Sequence, residues 1–353
     1  MNGNENGNGQ EKKKNHIWTI VFVLINIAVV AATAYNEFAG KPAGAIELRF
    51  SKRALFFLGC TALCLVVLLL AESLKYLLMM RSLGEKPSFR IAFETAALGK
   101  YYDCITPSGA GGQPFQIHWL HKHGYSSGAS SAMTIAGYVT MQAGFIILAL
   151  VVFIAHRSVD LEAIRYTAYF GLLLFSLIPV LLVLFSFMPN TVKKMISAAV
   201  RLGGRLKLVK NPEETTAHLL KLLDNYHTSF SVISKDRLTL VCLLALSLVY
   251  RIALCSMPYF VLKMFEAPVT FLNIFAATIY IYASIALVPT PGNAGAAEGA
   301  FYVVFSAMKS EGVFWAMLIW RLFSHYSFII LGGVIYGVNA LRGKKNREGE
   351  KEP

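Results

Sequence analysis

The chain has 353 residues, 56% of them apolar and only 15% charged, with a mean hydropathy of +0.53. That balance excludes an ordinary soluble domain, in which about 25% of residues are charged, and assigns the chain to the membrane class. The formal net charge of +13 sits in loops flanking apolar stretches, so no nucleic-acid partner is expected, and anionic headgroups at the cytoplasmic face are.

Residues 1–16 are Asn/Gly-rich, end in a cluster at Lys12, Lys13 and Lys14, and read as a disordered cytoplasmic N-terminus. The apolar stretch 17–35 follows basic residues as a signal peptide does, but no convincing small-residue cleavage site comes after Ala34, so it reads as an uncleaved anchor. Stretches 54–80, 133–155, 163–188, 238–262 and 313–338 also have the roughly 20 residues needed to cross hydrocarbon. Cys60, Cys64, Cys104, Cys242 and Cys255 lie in or beside these stretches without metal-ligand spacing and read as small buried hydrophobes.

Nine Lys/Arg between Lys193 and Arg237, and five in the charged tail 342–353, place both segments and the N-terminus in the cytoplasm. Counting spans from there, residues 81–131 begin and end inside, whereas 263–312 begin and end outside. Each interval nonetheless holds membrane-like stretches, 89–105 in the first and 269–288 with 294–308 in the second, broken by Gly and Pro. Re-entrant hairpins entering from opposite faces satisfy these constraints.

The breaks read Thr106-Pro107-Ser108-Gly109-Ala110-Gly111-Gly112-Gln113 and Thr290-Pro291-Gly292-Asn293-Ala294-Gly295-Ala296-Ala297-Glu298. Their shared Thr, Pro, Ala and Gly suggest an internal duplication of inverted topology; chance matching in a Gly/Ala-rich chain is the alternative. The expected fold is an all-α polytopic membrane protein, with about six full spans and two broken helical hairpins in inverted repeat. Paired broken segments point to a transport site near the midplane.

Non-helical backbone survives at membrane depth only where protein or a wet cavity satisfies its polar groups. Pro107 and Pro291 end the preceding helices, Gly109, Gly111, Gly112, Gly292 and Gly295 permit reversal and close approach, and the half-helices that follow favour anions at their N-termini. The candidate headgroup-binding set is therefore Asp103, Thr106, Gln113, Thr290, Glu298 and these Pro and Gly residues, joined by Arg251, Arg321 and His325 within two spans. Either arginine suits a phosphodiester, or pairs with Glu298. A plain helix-breaking turn at a helix or subunit interface is the competing reading, and a homo-oligomer is compatible with it.

Glu72 and Lys75, three apart, read as an intrahelical pair or as snorkelling side chains, outside the site. His118 and His121 share a helix face, but without carboxylate or cysteine ligands they read as part of a basic interfacial segment anchored by Trp119. Residues 192–236 form a cytoplasmic amphipathic segment lying on anionic lipid. With no Ser/His/Asp order, P-loop, dinucleotide fingerprint or metal cluster, no catalytic residue, metal or cofactor is assigned.

In the segments Ile105 to Pro114 and Pro289 to Glu298, and in Trp320-Arg321 followed by Gly332-Gly333, the sequence resembles the transmembrane, flippase-type domain of lysylphosphatidylglycerol synthases and their free-standing relatives. The likeness runs over residues 17–341. It implies a bacterial inner-membrane protein that carries a lysyl-phosphatidylglycerol-like phospholipid to the outer leaflet, with resistance to cationic peptides; polyprenyl-phosphate lipids would suit the same cavity. Gln113 stands where relatives often have an acidic residue. The tail 342–353 is too short to form the soluble synthase domain of full-length members, so lysyl transfer by this chain alone is not expected; a non-transporting partner of a separate lipid-modifying enzyme is the third reading.

Overall fold

The computed structural model describes residues 35, 51–106, 109, 111–155, 162–205, 211–286, 288, 290, 292–307 and 312–349. The anchor expected at 17–35 falls outside them except for Tyr35, as do Pro107 and Pro291. In chain order the helices are α1 (Lys52–Ser82), α2 (Phe89–Ile105), α3 (Gly112–Lys122), α4 (Ser127–Ala155), α5 (Glu162–Phe187), α6 (Pro189–Arg205), α7 (Pro212–Lys235), α8 (Arg237–Met264), α9 (Phe271–Ile285), α10 (Ala296–Ser306), α11 (Val313–Arg321) and α12 (Ser327–Gly349). A π turn, Leu322–Tyr326, joins the last two into one rod.

Among the described residues there is no strand, and five stretches are long and apolar enough to cross a membrane: α1, α4, residues 164–187 of α5, α8 and the α11–α12 rod. The chain is thus an all-α multi-pass membrane protein. Large apolar side chains such as Phe56, Leu63 and Val66 on α1 and Phe170 and Leu173 on α5 point outward, a surface stable only against lipid. By contrast α2, α3, α9 and α10 have 17, 11, 15 and 11 residues; at 1.5 Å rise per residue none reaches about 30 Å.

Three contacts establish how the short helices enter. Tyr125, just before α4, donates its hydroxyl to the Lys86 carbonyl at 2.8 Å and lies 3.3 Å from Met80 Sδ near the end of α1. The α2–α3 pair therefore leaves and returns on one face. Ser82, the last residue of α1, donates to Asp236 at the start of α8 at 3.1 Å, so α1 and α8 run antiparallel and α8 ends on the opposite face. There, Gly312 before α11 abuts the ring of Phe265 after α8: a Cβ on that glycine would sit 2.8 Å from Cδ1. The α9–α10 pair thus returns to the face it left, opposite the first pair.

Packing follows the same order in each half. α1 packs on α2, α2 on α3 and α3 on α4, while α8 packs on α9, α9 on α10 and α10 on α11, with α1 lying along α8 between the halves. The inverted repeat inferred from two short motifs is therefore a property of the architecture.

The segment 192–236 divides between α6 and α7. α7 is no free surface helix, because Phe230 and Ile233 are buried in a cluster with Met80 of α1 and Met133 of α4. Trp119 likewise faces inward among Ala97, Leu98 and Ile335 instead of anchoring at an interface. His121 meets the Tyr125 carbonyl at 3.1 Å and His123 that of Trp119 at 2.8 Å, so both rings serve local structure.

Asp236 caps α8 by accepting from the Thr239 hydroxyl at 2.6 Å and from its backbone N–H at 3.1 Å. These bonds hold its carboxyl below the usual carboxylate range, the hydroxyl contributing most. A depressed folded value means the stabilisation is complete above the unfolded pKa of about 4 and is lost as pH falls through the lower folded one. Asp236→Asn is expected to flatten the acid limb of a Tm-against-pH curve in detergent; an unchanged limb would refute this assignment.

Candidate functional site

The two breaks meet inside the bundle. Gly292, in the second, has φ +55° and lies so close to the π turn and the end of α2 that a Cβ there would come within 2.2 Å of His325 Cε1 and 3.0 Å of the Cys104 carbonyl oxygen. Only glycine accepts both the left-handed backbone and the contact. Around this junction lies a cavity of about 630 Å³, in the size range of small-molecule sites.

Each break is held by a carboxylate that joins a helix start to a cation. In the first, Asp103 accepts from the Gly112 N–H at 3.1 Å and from Lys100 Nζ at 3.2 Å. Gly112 sits so tightly against Asp103 and the Gly99 carbonyl that a Cβ would lie 2.2 and 2.8 Å from their oxygens. In the second, Glu298 accepts from the Gly295 N–H at 2.8 Å and from Arg321 Nε at 2.5 Å. Gln113 brings no carboxylate of its own to the start of α3, and Asp103 supplies one from the end of α2.

Asp103, Gly109, Gln113, Arg251, Gly292, Arg321 and His325 line the cavity. Thr106, Gly111, Gly112, Thr290, Gly295 and Glu298 stand behind the lining and shape the turns: the Thr106 hydroxyl accepts from the Gly111 N–H at 2.8 Å, and that of Thr290 donates to the Ala294 carbonyl at 2.9 Å. Glu298 is 2% exposed and fully engaged, so its part is to hold Arg321. Of the two pairings left open for the arginines, Arg321 takes the carboxylate. Arg251 donates to the neutral Gln142 side-chain oxygen at 2.9 Å and lies 5.0 Å from the Phe145 ring centre.

Sequence spacing alone separates Glu72 from the site, yet Glu72 lines the cavity. It pairs with Lys75 at 3.2 Å, and that fully buried lysine also donates to the Gly137 carbonyl of α4 at 2.9 Å. Lys100, Gln142 and Ser324 also stand in the polar part of the lining. Two of these carried a readable signal: Lys100 lies three residues before Asp103, and Gln142 is an amide within a span. Ser324 did not, because the π turn that presents it is invisible in the residue pattern; such turns recur at functional sites.

Four buried atoms on this wall, Arg251 Nε, Arg321 Nη2, Ser324 Oγ and His325 Nε2, have no hydrogen-bond partner within the described protein. Leaving a buried polar atom unsatisfied costs about 1–3 kcal/mol, so unmet hydrogen-bonding capacity is concentrated in the residues around this cavity. The lining also has an apolar part, with Phe175, Ile178 and Leu182 of α5 together with Phe328 and with Phe145, whose ring lies under Arg251. Ile178 is 55% exposed as well as cavity-lining, so the barrier between cavity and lipid-facing surface is thin there.

The family described as the lysylphosphatidylglycerol synthase TM region matches residues 17–332. A UPF0104 membrane protein of Archaeoglobus fulgidus is 24% identical over 344 residues, covering 92% of this chain and 98% of its own length.

Proposed function

Since the chain belongs to the family of the lysylphosphatidylglycerol synthase transmembrane region, we propose that it is a lipid flippase-type transporter, moving a phospholipid or a polyprenyl-phosphate-linked lipid between leaflets of the bacterial cell membrane, with its termini in the cytoplasm. The observation that carries this reading is the junction of two oppositely entering hairpins at a cavity lined both by charged groups and by apolar side chains of α5. A headgroup occupies the Arg251–Arg321–His325 wall while acyl or prenyl chains pass the α5 wall and remain in hydrocarbon. Moving a headgroup across bare hydrocarbon is slow because its charge loses hydration; a cavity with positioned donors replaces part of that hydration.

The test is reconstitution of the full chain in liposomes carrying headgroup-labelled lipid, with leaflet exposure followed by a membrane-impermeant quencher. Faster exchange than in empty liposomes is expected, with Arg321→Ala slowing it at least about tenfold, the effect of losing roughly 1.4 kcal/mol. Rates equal to those of empty liposomes for phosphatidylglycerol, its lysyl ester and polyprenyl phosphates alike would sink the proposal.

The family description favours a second reading, a membrane partner of a separate lipid-modifying enzyme. On that reading Glu298→Ala and Arg321→Ala leave function intact and surface changes in α6 and α7 abolish it, the reverse of what transport requires.

A further inference from the structure

The Lys, Arg, Asp and Glu side chains around the cavity pair off with one left over. Lys75 meets Glu72 at 3.2 Å, Lys100 meets Asp103 at 3.2 Å and Arg321 meets Glu298 at 2.5 Å. Among the described residues of this wall, Arg251 is the one cation without a carboxylate; the neutral Gln142 amide and the face of Phe145 are its neighbours, and its Nε is buried and unbonded. Gln142 is in turn fixed, because its amide nitrogen donates to the Tyr138 hydroxyl at 3.2 Å while its oxygen accepts from Arg251. With each of the three pairs in its ionised form, the wall carries one net positive charge.

A half-buried charge at membrane depth without a counter-ion is costly. We propose that the counter-ion is the ligand itself, and that the site is selective for a lipid whose headgroup bears one net negative charge, a phosphodiester monoanion. This rests on the transport reading and narrows its substrate. A guanidinium binds the two unbridged oxygens of a phosphodiester in fork geometry. A phosphate monoester or diphosphate brings extra negative charge for which the wall holds no further unpaired cation. A lysyl ester of phosphatidylglycerol has two ammonium groups against one phosphate, so its net charge has the same sign as the wall. Glycosyl phosphodiesters of polyprenol satisfy the requirement as phosphatidylglycerol does.

The test measures binding to the purified full chain by native mass spectrometry and thermal shift. The probes are phosphatidylglycerol, a glycosyl-phosphoryl-polyprenol, phosphatidylethanolamine, phosphatidic acid, a polyprenyl diphosphate, the lysyl ester of phosphatidylglycerol, and water-soluble glycerophosphoglycerol. The two singly charged phosphodiester lipids are expected to bind at least about tenfold more tightly than every other probe, a difference of about 1.4 kcal/mol. Tighter binding of the diphosphate, the monoester, the lysyl ester or the zwitterion would overturn the charge assignment. Equal binding of glycerophosphoglycerol and phosphatidylglycerol would assign the site to a free anion instead of a lipid.

Arg251→Gln removes the selectivity if the variant folds. Gln142→Glu keeps the fold's shape and places a carboxylate where the amide oxygen stands 2.9 Å from Arg251, so it is expected to raise Tm without lipid and abolish the lipid-induced shift. Gln142→Glu protein that still binds phosphatidylglycerol like the parent refutes the proposal. Leaflet exchange in the same preparations separates the two claims: faster exchange of doubly charged lipids overturns the charge assignment and leaves transport standing, whereas selective binding without exchange does the opposite.

Discussion

Replacing Glu298 with glutamine is expected to lower the stability of the purified protein by about 3–5 kcal/mol, the largest single-residue loss foreseen here, because it leaves a buried guanidinium without its counter-ion. Glu298 and Arg321 are 2% and 5% exposed, and their pairing also ties α10 to the end of α11. The carboxylate holds the start of α10 at the same time, through the Gly295 N–H. Glutamine keeps one acceptor oxygen but no charge, and its N–H₂ group must face either the guanidinium or the Gly295 N–H, both of them donors. Thermal unfolding in detergent measures the loss. Glu298→Gln combined with Arg321→Met should recover part of it, since two neutral side chains bury no unpaired charge, while lipid exchange stays absent because Arg321 is gone. A single variant as stable as the parent would show the pair to be solvated.

The second large effect is expected at Gly292. Alanine there must adopt φ near +55°, costing about 1–2 kcal/mol for an L-residue, and its Cβ displaces the His325 ring from 2.2 Å. The Cys104 carbonyl at 3.0 Å is backbone and cannot swing away, so the strain passes into the junction of the two hairpins. Valine, β-branched and larger, would force that junction apart. Gly292→Ala is expected to fold, with Tm reduced by several degrees, and to exchange lipid about tenfold more slowly or worse, in proportion to roughly 1.4 kcal/mol per decade. Gly292→Val is expected not to fold. Parental exchange rates with alanine at 292 would mean that the junction and the π turn have no part in transport.

Glu298 and Gly292 illustrate how unevenly the site was legible. Both stood out in the sequence as a charge and a glycine at membrane depth, and both lie at the junction. Their chemistry was not legible: Glu298 is consumed by structural bonds behind the lining, and the residues with unpartnered polar atoms around the cavity are Arg251, Arg321, Ser324 and His325. Ion pairing depends on which helices touch, and the choice of Arg321 over Arg251 for Glu298 follows from α11 packing beside α10 while Arg251 on α8 faces Gln142 on α4. Glu72 shows the converse. Its spacing from Lys75 correctly implied an intrahelical pair, but a local pair can also face a cavity built by distant helices.

The sequence by itself determined the membrane class, five of the six expected long spans, the positions of both breaks and the opposition of the two hairpins. These follow from one-dimensional quantities: apolar run length against bilayer thickness, the chain-breaking habits of Pro and Gly, and the parity of crossings. Tertiary structure alone decided that the breaks converge on one cavity, that α7 and Trp119 are buried, that a π turn presents Ser324 and His325, and that three carboxylates leave Arg251 without a partner. Those outcomes depend on side-chain contacts between helices far apart in the chain, such as Gly292 against Cys104 and Arg251 against Gln142, and no local pattern encodes which of many apolar faces will meet.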